Sequence, residues 1–482
     1  MTDLARDLDA PVPRTAGDTP GPPLELVLEL CAGLADAGVR YCHFKSNEAI
    51  ARSAAGDNDL DLLVEPSDVA AFERTLLRVG CRRAVTPKSR RFPSIHDFYG
   101  FDRRSGRLVH VHAHYALVVG HDATKNVRLP FADAYLSSAS VTDASPFPLP
   151  SPDFEYVLLV LRLVLKHTSA DAVLMGQGRV PAAAWRELNF LAERADPVAV
   201  RTILERHLPA IPIDAFERAA HALRGRSRSE RVTAARDVRT ALEFYARRPP
   251  RRDTAARVVG RVTWNVRRLA FPRSTAKRLD GTGAIVAVLG SDGSGKTTLL
   301  DGLEHWLSEC FRTERFHLGK PPKGVGSIAI RALQRTVWRE RDRRLLWQVR
   351  HVMIARDRFR AYRRAVDAAA SGAIALCDRF PTSAVDRMDA PTLGGGRAGG
   401  LARLEHAYYA RIAPPDIAIV LAVSPEIATA RRPSDDPGEI AARAEAILGA
   451  SWDALATVVL DGERPAHEVL AAAKEAIWGR LP

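Results

Sequence analysis

The sequence predicts an α/β protein in two parts, an N-terminal α+β unit and a C-terminal doubly wound parallel sheet. Three observations carry that reading. Ala284-Ile-Val-Ala-Val-Leu289 is an unbroken, partly β-branched apolar run, the signature of a parallel strand buried on both faces. It leads straight into Gly290-Ser-Asp-Gly-Ser-Gly-Lys-Thr-Thr298, which fits G-x-x-x-x-G-K-[ST], and Leu299 to Cys310 then places apolar residues at helical spacing. Beyond it, strand-like runs at Arg315 to Leu318, Ala373 to Cys377, Asp416 to Val423 and Thr457 to Leu460 alternate with helical stretches.

Composition sets the bounds. A chain of 482 residues has room for two or three domains, and an apolar fraction of 46% is that of a globular protein. The formal charge of +13 fits nucleic acid, anionic membrane or phosphorylated small molecules as partners, and also fits a chain simply rich in Arg and Ala. Cys31, Cys42, Cys81, Cys310 and Cys377 are scattered with no C-x-x-C, which argues against a disulfide framework or zinc ribbon and for a reducing, cytoplasmic setting. The N-terminus lacks a signal-peptide apolar core. Tyr156 to Leu165 is apolar but short and interrupted by Arg162, too little to span a bilayer.

Residues 1–23, rich in Pro, Thr, Asp and Gly, are expected to be disordered. The first domain spans 24–222. Leu24 to Ala37 reads as an amphipathic helix closed by Gly38, and Val39 to Phe44 as a strand. Asp57-Asn-Asp-Leu-Asp-Leu-Leu-Val64 alternates acid and apolar residues, so Asp57, Asp59 and Asp61 share one strand face. A helix over 66–79 and strands near His96 to Phe101 and Leu108 to Leu117 complete the α+β unit; helices at Asp153 to Lys166, Pro181 to Ala195 and Val198 to His207 extend it. Residues 223–280 form a basic helical linker with breakers at Pro249, Pro250 and Pro272. There Ala255, Val258, Val259, Val262, Val266 and Leu269 line one helical face, expected to pack on a domain, and Arg257, Arg261 and Arg268 another; contact with nucleic acid or an anionic membrane is the alternative. The parallel-sheet domain occupies 281–482.

The chemistry starts from the loop. Glycines turn backbone N–H groups inward to cradle phosphate oxygens at the positive end of a helix. Gly290, Ser291, Asp292, Gly293, Ser294, Gly295, Lys296, Thr297 and Thr298 are therefore the candidate nucleotide-binding residues, with Lys296 reaching the β/γ-phosphates of ATP and Thr297 a Mg²⁺ ion. The apolar strand Ala373 to Cys377 ends in Asp378-Arg379, where the acid can anchor Mg²⁺ and the arginine can clamp a phosphate. In the first domain, two carboxylates at i and i+2, Asp59 and Asp61, can hold one or two divalent cations.

These motifs carry two family resemblances. Asp292 in its loop, Ala355-Arg-Asp-Arg358, Asp378-Arg379-Phe380 and Pro415 to Arg432 follow one another as in the thymidylate kinase family, and residues 284 to 482 resemble that P-loop kinase fold. The resemblance implies that Asp292 meets an acceptor sugar hydroxyl, that Arg358 and Arg379 hold the acceptor phosphate, and that Arg431 or Arg432 closes from a lid. Departures lie on the acceptor side: His317-Leu-Gly-Lys-Pro-Pro-Lys-Gly324 replaces an arginine-bearing loop, and Pro381-Thr-Ser-Ala-Val-Asp386 lacks the aromatic and glutamine of the family pattern. Leu24 to Pro150 resembles the nucleotidyltransferase superfamily through Lys45-Ser46 and Asp59-Leu-Asp61. Where that family brings a third carboxylate, this chain has His110, His112 and His114 on one strand face, suited to softer metals or phosphate.

The expected function is ATP- and Mg²⁺-dependent phosphoryl transfer to a nucleoside monophosphate or similar phosphorylated small molecule, with a homodimer left open. The alternatives are nucleotidyl transfer at Asp59/Asp61, with the C-terminal domain supplying or sensing nucleotide, and an ATP-gated module binding nucleic acid or membrane through the Arg-rich linker.

Overall fold

The computed structural model describes the chain apart from residues 1–19, 88–90, 93, 122, 144, 170–171, 173–177, 226, 271–275, 320–323, 335–339, 383–389, 394–398 and 453–455. Most of the expected disordered N-terminus, Lys320 to Lys323 of the altered acceptor loop, and Asp386 lie outside the described residues. The chain divides into two compact α/β units, Met1–Thr275 and Ala276–Pro482. Among the described residues no helix is long and apolar enough to cross a membrane.

The first unit is built on a mixed sheet whose strands lie in the order Tyr41–His43, Leu60–Val64, Arg107–His114, Ile95–Asp102, Arg82–Val85. Leu60–Val64 runs parallel to Arg107–His114 and the other neighbours pair antiparallel. Period-two alternation sorts the side chains. Leu60, Leu62, Val64, Val109 and Val111 pack with Leu26, Leu30 and Leu34 of helix Glu25–Asp36 and Phe72 and Leu76 of helix Val69–Arg78. Each such side chain, fully buried, contributes about 1.5–3 kcal/mol. Asp61, His110, His112 and His114 therefore fall on the opposite face, and register sets Asp61 beside His112 and Asp97 across from it.

A second core joins Leu63 and Phe44 to helices Pro152–His167, Ala182–Ala192, Pro197–His207 and Ile213–Arg224. The basic helix, Pro250–Ala270, departs from expectation. Its apolar stripe stays out of any core, with Val259 63% and Leu269 85% exposed. The arginine face makes the contacts instead: Arg257 pairs with Asp253 at 3.2 Å and Arg261 reaches His121 Nε2 at 2.8 Å.

The second unit is an all-parallel sheet in the order Thr313–His317, Ile374–Asp378, Ala284–Gly290, Ile417–Ala422, Thr457–Asp461. The apolar central runs are buried on both faces, as the sequence pattern requires. Helix Glu340–Ala370 lays Ala361, Tyr362, Ala365 and Ala369 on one face, against Ile285, Ala287, Ala375 and Cys377. Because the strands are parallel and in step, Gly290, His317 and Asp378 emerge at one edge, with Asp378 in register with both Val288 and His317. Crevices outside the carboxyl ends of such strands are where ligands sit.

Candidate functional site

The glycine-rich loop joins strand Ala284–Gly290 to helix Lys296–Ser308, whose N-cap is Gly295 at φ 92°. A helix start leaves its first N–H groups without intrahelical acceptors, and they point toward the loop. The loop is wedged in place. Gly293 sits at φ 84°, and a Cβ there would lie 2.5 Å from the carbonyl oxygen of Ala428. Arg431 ties the same region down, donating to the carbonyls of Gly462 at 3.0 Å and Gly293 at 3.4 Å.

A cavity of about 350 Å³ opens on the loop, lined by Asp292, Gly293, Gly295, Lys296, Thr297, Thr298, His317, Asp378, Arg379, Arg431 and Arg432. The sequence-predicted residues thus converge, with Gly290, Ser291 and Ser294 backing the loop. Four of the lining residues are cations (Lys296, Arg379, Arg431, Arg432) and two are acids (Asp292, Asp378). Lys296 is buried and donates to the carbonyl of Ser291. Burial, with the nearby Arg379 charge, pulls its pKa from 10.5 down to about 8. Among the described residues, the buried hydroxyls of Ser291 and Ser294 have no hydrogen-bond partner. Both features fit an anionic guest better than solvent: cations outnumber acids in the lining, and buried hydroxyls lack acceptors among the described residues.

Asp292 and Arg379 form an ion pair. Arg443, on helix Pro437–Leu448, reaches the other Asp292 oxygen at 2.6 Å. Burial works against the Asp292 charge, but Arg379, Lys296 and Arg443 outweigh it and hold the carboxyl below its ordinary range. Arg379 is a non-glycine residue at φ 57°, and its N–H donates to the Val288 carbonyl at 3.2 Å. Such conformations persist only where the surroundings over-determine them, and they cluster at functional sites. Asp378 has His317 Nε2 at 3.6 Å. Arg432 is half-exposed, near Asp435.

Arg358 stands apart from the cavity lining. It is buried, donating to the carbonyls of Leu318 and Gly319 at 3.1 Å each and to the Tyr409 hydroxyl. Arg443 and His317 were not singled out from sequence. Arg443 sits on an ordinary amphipathic helix 151 residues from Asp292, and nothing local marks it.

The first unit places the other candidates on the polar face of its sheet. Asp61 Oδ1 meets Lys45 Nζ at 2.7 Å and His112 Nδ1 at 3.1 Å, while Asp59 meets His110 Nδ1 at 2.9 Å. The other nitrogen of His110, Nε2, lies 2.9 Å from Asp97, a buried acid of the next strand that the sequence reading missed. Asp57 pairs with Arg107 at 2.8 Å. Burial alone would raise the pKa of Asp61, but Lys45 and the two histidines hold it well below the carboxylate range. Burial lowers His112 to about 4 and holds His114 well below its ordinary value, so both are neutral imidazoles. The loop carrying Lys45 is held from below. Ser46, at φ 59°, donates its N–H to Glu187 at 2.9 Å, and Asn47 donates its own to Glu155 at 3.3 Å.

An α/β protein with a cation-rich crevice at the carboxyl edge of a parallel sheet is the class that fold and site define. No protein-family model matches the chain. Over 228 residues, 42% of this chain, the sequence is 28% identical to the "Uncharacterized ATP-binding protein YghR" of Escherichia coli strain K12, of which the match covers 90%. The protein of the same name from E. coli O6:H1 strain CFT073 is similar to the same degree.

Proposed function

We propose that the chain is an ATP- and Mg²⁺-dependent phosphotransferase of the P-loop kinase kind, acting on a nucleoside monophosphate or similar phosphorylated small molecule. The observation that carries this reading is the convergence of Lys296, Thr297, Asp378, Arg379, Arg431 and Arg432 on one cavity at the carboxyl edge of the parallel sheet. The name of the E. coli relatives supports ATP as the donor.

In this reading, loop N–H groups and Lys296 hold the donor's terminal phosphates. Mg²⁺, held by Thr297 and Asp378, supplies neutralisation of phosphate charge when bound. Arg379 clamps the acceptor phosphate with its guanidinium fork, and its pairing with Asp292 fixes its direction before the acceptor arrives. An acceptor oxygen attacks the γ-phosphorus, the bond to the β–γ bridging oxygen breaks, and ADP leaves with that electron pair. Arg431 and Arg432 offset charge spread over the transferring group. Catalysis of this kind is mostly positioning and electrostatics, so the transfer residues can persist while acceptor contacts change, and dTMP is expected to be a poor acceptor at best. The test is incubation of purified protein with γ-labelled ATP, Mg²⁺ and a panel of nucleoside monophosphates and sugar phosphates. Acceptor-dependent ADP with label on the acceptor supports the reading; pyrophosphate release, or no acceptor-dependent turnover, overturns it.

A further inference from the structure

We propose that Asp61, His112 and His114 of the first unit form a three-ligand site for a divalent transition-metal ion of the Zn²⁺ class, separate from the glycine-rich loop. The ligand atoms already stand almost where such an ion needs them. His112 Nδ1 lies 3.1 Å from Asp61 Oδ1, His114 Nε2 lies 3.4 Å from His112 Nδ1, and His114 Nε2 lies 3.8 Å from Asp61 Oδ1. Tetrahedral Zn²⁺ holds nitrogen and oxygen ligands at about 2.0–2.1 Å, which makes the edges of its tetrahedron about 3.3–3.4 Å. The three separations bracket that value.

The fold explains how the atoms meet. His112 and His114 are i and i+2 on strand Arg107–His114, so they share a face, and parallel register sets Asp61 directly beside His112. A second observation points to a ligand. The His114 side chain is 3% exposed, and its Nδ1 has no hydrogen-bond partner among the described residues while its Nε2 is aimed into the cluster. Burying an imidazole so poorly partnered costs free energy; with the proton on Nδ1 the Nε2 lone pair faces the cluster, and a metal bond there adds a compensating interaction to the ring.

The donor set selects the ion. Two imidazoles and one carboxylate suit Zn²⁺, Co²⁺ or Ni²⁺; Mg²⁺ prefers oxygen ligands in an octahedron. Three protein ligands leave a fourth position for water or an anionic oxygen, the pattern of reactive rather than structural zinc sites. Lys45 Nζ, 2.7 Å from Asp61 Oδ1, stands beside that position. Its positive charge, so close to Oδ1, favours an anionic oxygen over neutral water in the fourth position and competes with the ion for the carboxylate. Asp59 does not belong to this set, since His110 links it to Asp97 instead.

Full-length protein freed of metal with a chelator, without nucleotide, should bind one Zn²⁺ per chain by titration calorimetry. Co²⁺ should give the intense visible absorption of a tetrahedral site. His114→Gln, close in size, should lose at least about 100-fold in affinity, the upper end of what even an outer-shell partner costs, with circular dichroism unchanged. Lys45→Met removes the neighbouring cation, leaves all three ligands, and should bind Zn²⁺ at least as tightly as wild type. The proposal is overturned if no stoichiometric ion binds, if His114→Gln binds as wild type does, if Lys45→Met abolishes binding, or if Mg²⁺ competes on equal terms.

Discussion

Raising the pH should weaken ATP binding through Lys296 while the fold stays intact. In the free protein, burial and the Arg379 charge hold this ammonium at about 8 instead of 10.5. Phosphate oxygens placed against it favour the charged form, so the complex binds the proton more tightly than the free protein does. Affinity is then complete below about pH 8 and declines, by up to tenfold per pH unit, as pH rises toward the value in the complex. If nucleotide restores the ordinary 10.5, the two states differ by about 3 kcal/mol, and the dissociation constant should rise roughly twentyfold between pH 7.5 and 9.5. The phosphates of ATP add no slope there, since their last ionisation lies near pH 6. Titration calorimetry with Mg²⁺ at pH 7.5, 8.5 and 9.5, with circular dichroism alongside, measures the slope. Lys296→Met should bind weakly and independently of pH. A flat wild-type profile, or an equal slope in Lys296→Met, would refute the assignment of this lysine to phosphate.

Arg379→Ala should raise the KM of any true acceptor by tenfold or more while moving the ATP dissociation constant only a few-fold, because Lys296 and the loop N–H groups that hold the donor remain; steady-state kinetics and calorimetry separate the two. Gly293→Ala should destabilise the protein by about 2 kcal/mol or more, from the left-handed φ and the Ala428 oxygen 2.5 Å from the new Cβ, and a calorimetric scan should show the midpoint several degrees lower. Glu155 has its pKa pushed from 4.5 to about 7, first by burial and then by Glu187. The folded state holds this proton more tightly than the unfolded chain, so stability falls as pH rises from about 4.5 to 7 and stays lower above it. Glu155→Gln should therefore gain up to about 3 kcal/mol over wild type at pH 8 and nothing near pH 4.5; urea unfolding at the two pH values checks it, and an equal loss at both would sink the idea.

Local pattern made much of this structure legible. Strand Ala284–Gly290 is apolar because parallel strands are buried on both faces, and Leu60–Val64 alternates because one face meets helices and the other polar groups. The loop residues converge because strand, turn and helix are consecutive in the chain. What stayed hidden depends on register and on distant pairing. Asp97 stands opposite His112 and reaches His110 diagonally only because antiparallel pairing holds Ile95–Asp102 at one particular offset, which alternation alone does not fix. Helix Pro250–Ala270 misled for a related reason: its periodicity identified two faces, but contacts contributed by Ser169 and His121 decided that the arginine face turns inward.

Arg358 carries that argument furthest. The A-x-x-R resemblance leads to the expectation of a phosphate ligand, yet the Arg358 guanidinium is buried on the carbonyls of Leu318 and Gly319. Those carbonyls belong to the segment that leaves strand Thr313–His317, and Gly319 lies so close to Arg379 that a Cβ there would stand 2.4 Å from the Arg379 Cδ. A buried arginine on two carbonyls fixes backbone, and the backbone it fixes is the wall along which Arg379 runs toward Asp292. In this structure Arg358 therefore holds the backbone at Gly319 against which Arg379 packs. That chain of contacts from Arg358 through Gly319 to Arg379 arises in three dimensions, and the spacing of A-x-x-R and D-R along the chain does not encode it.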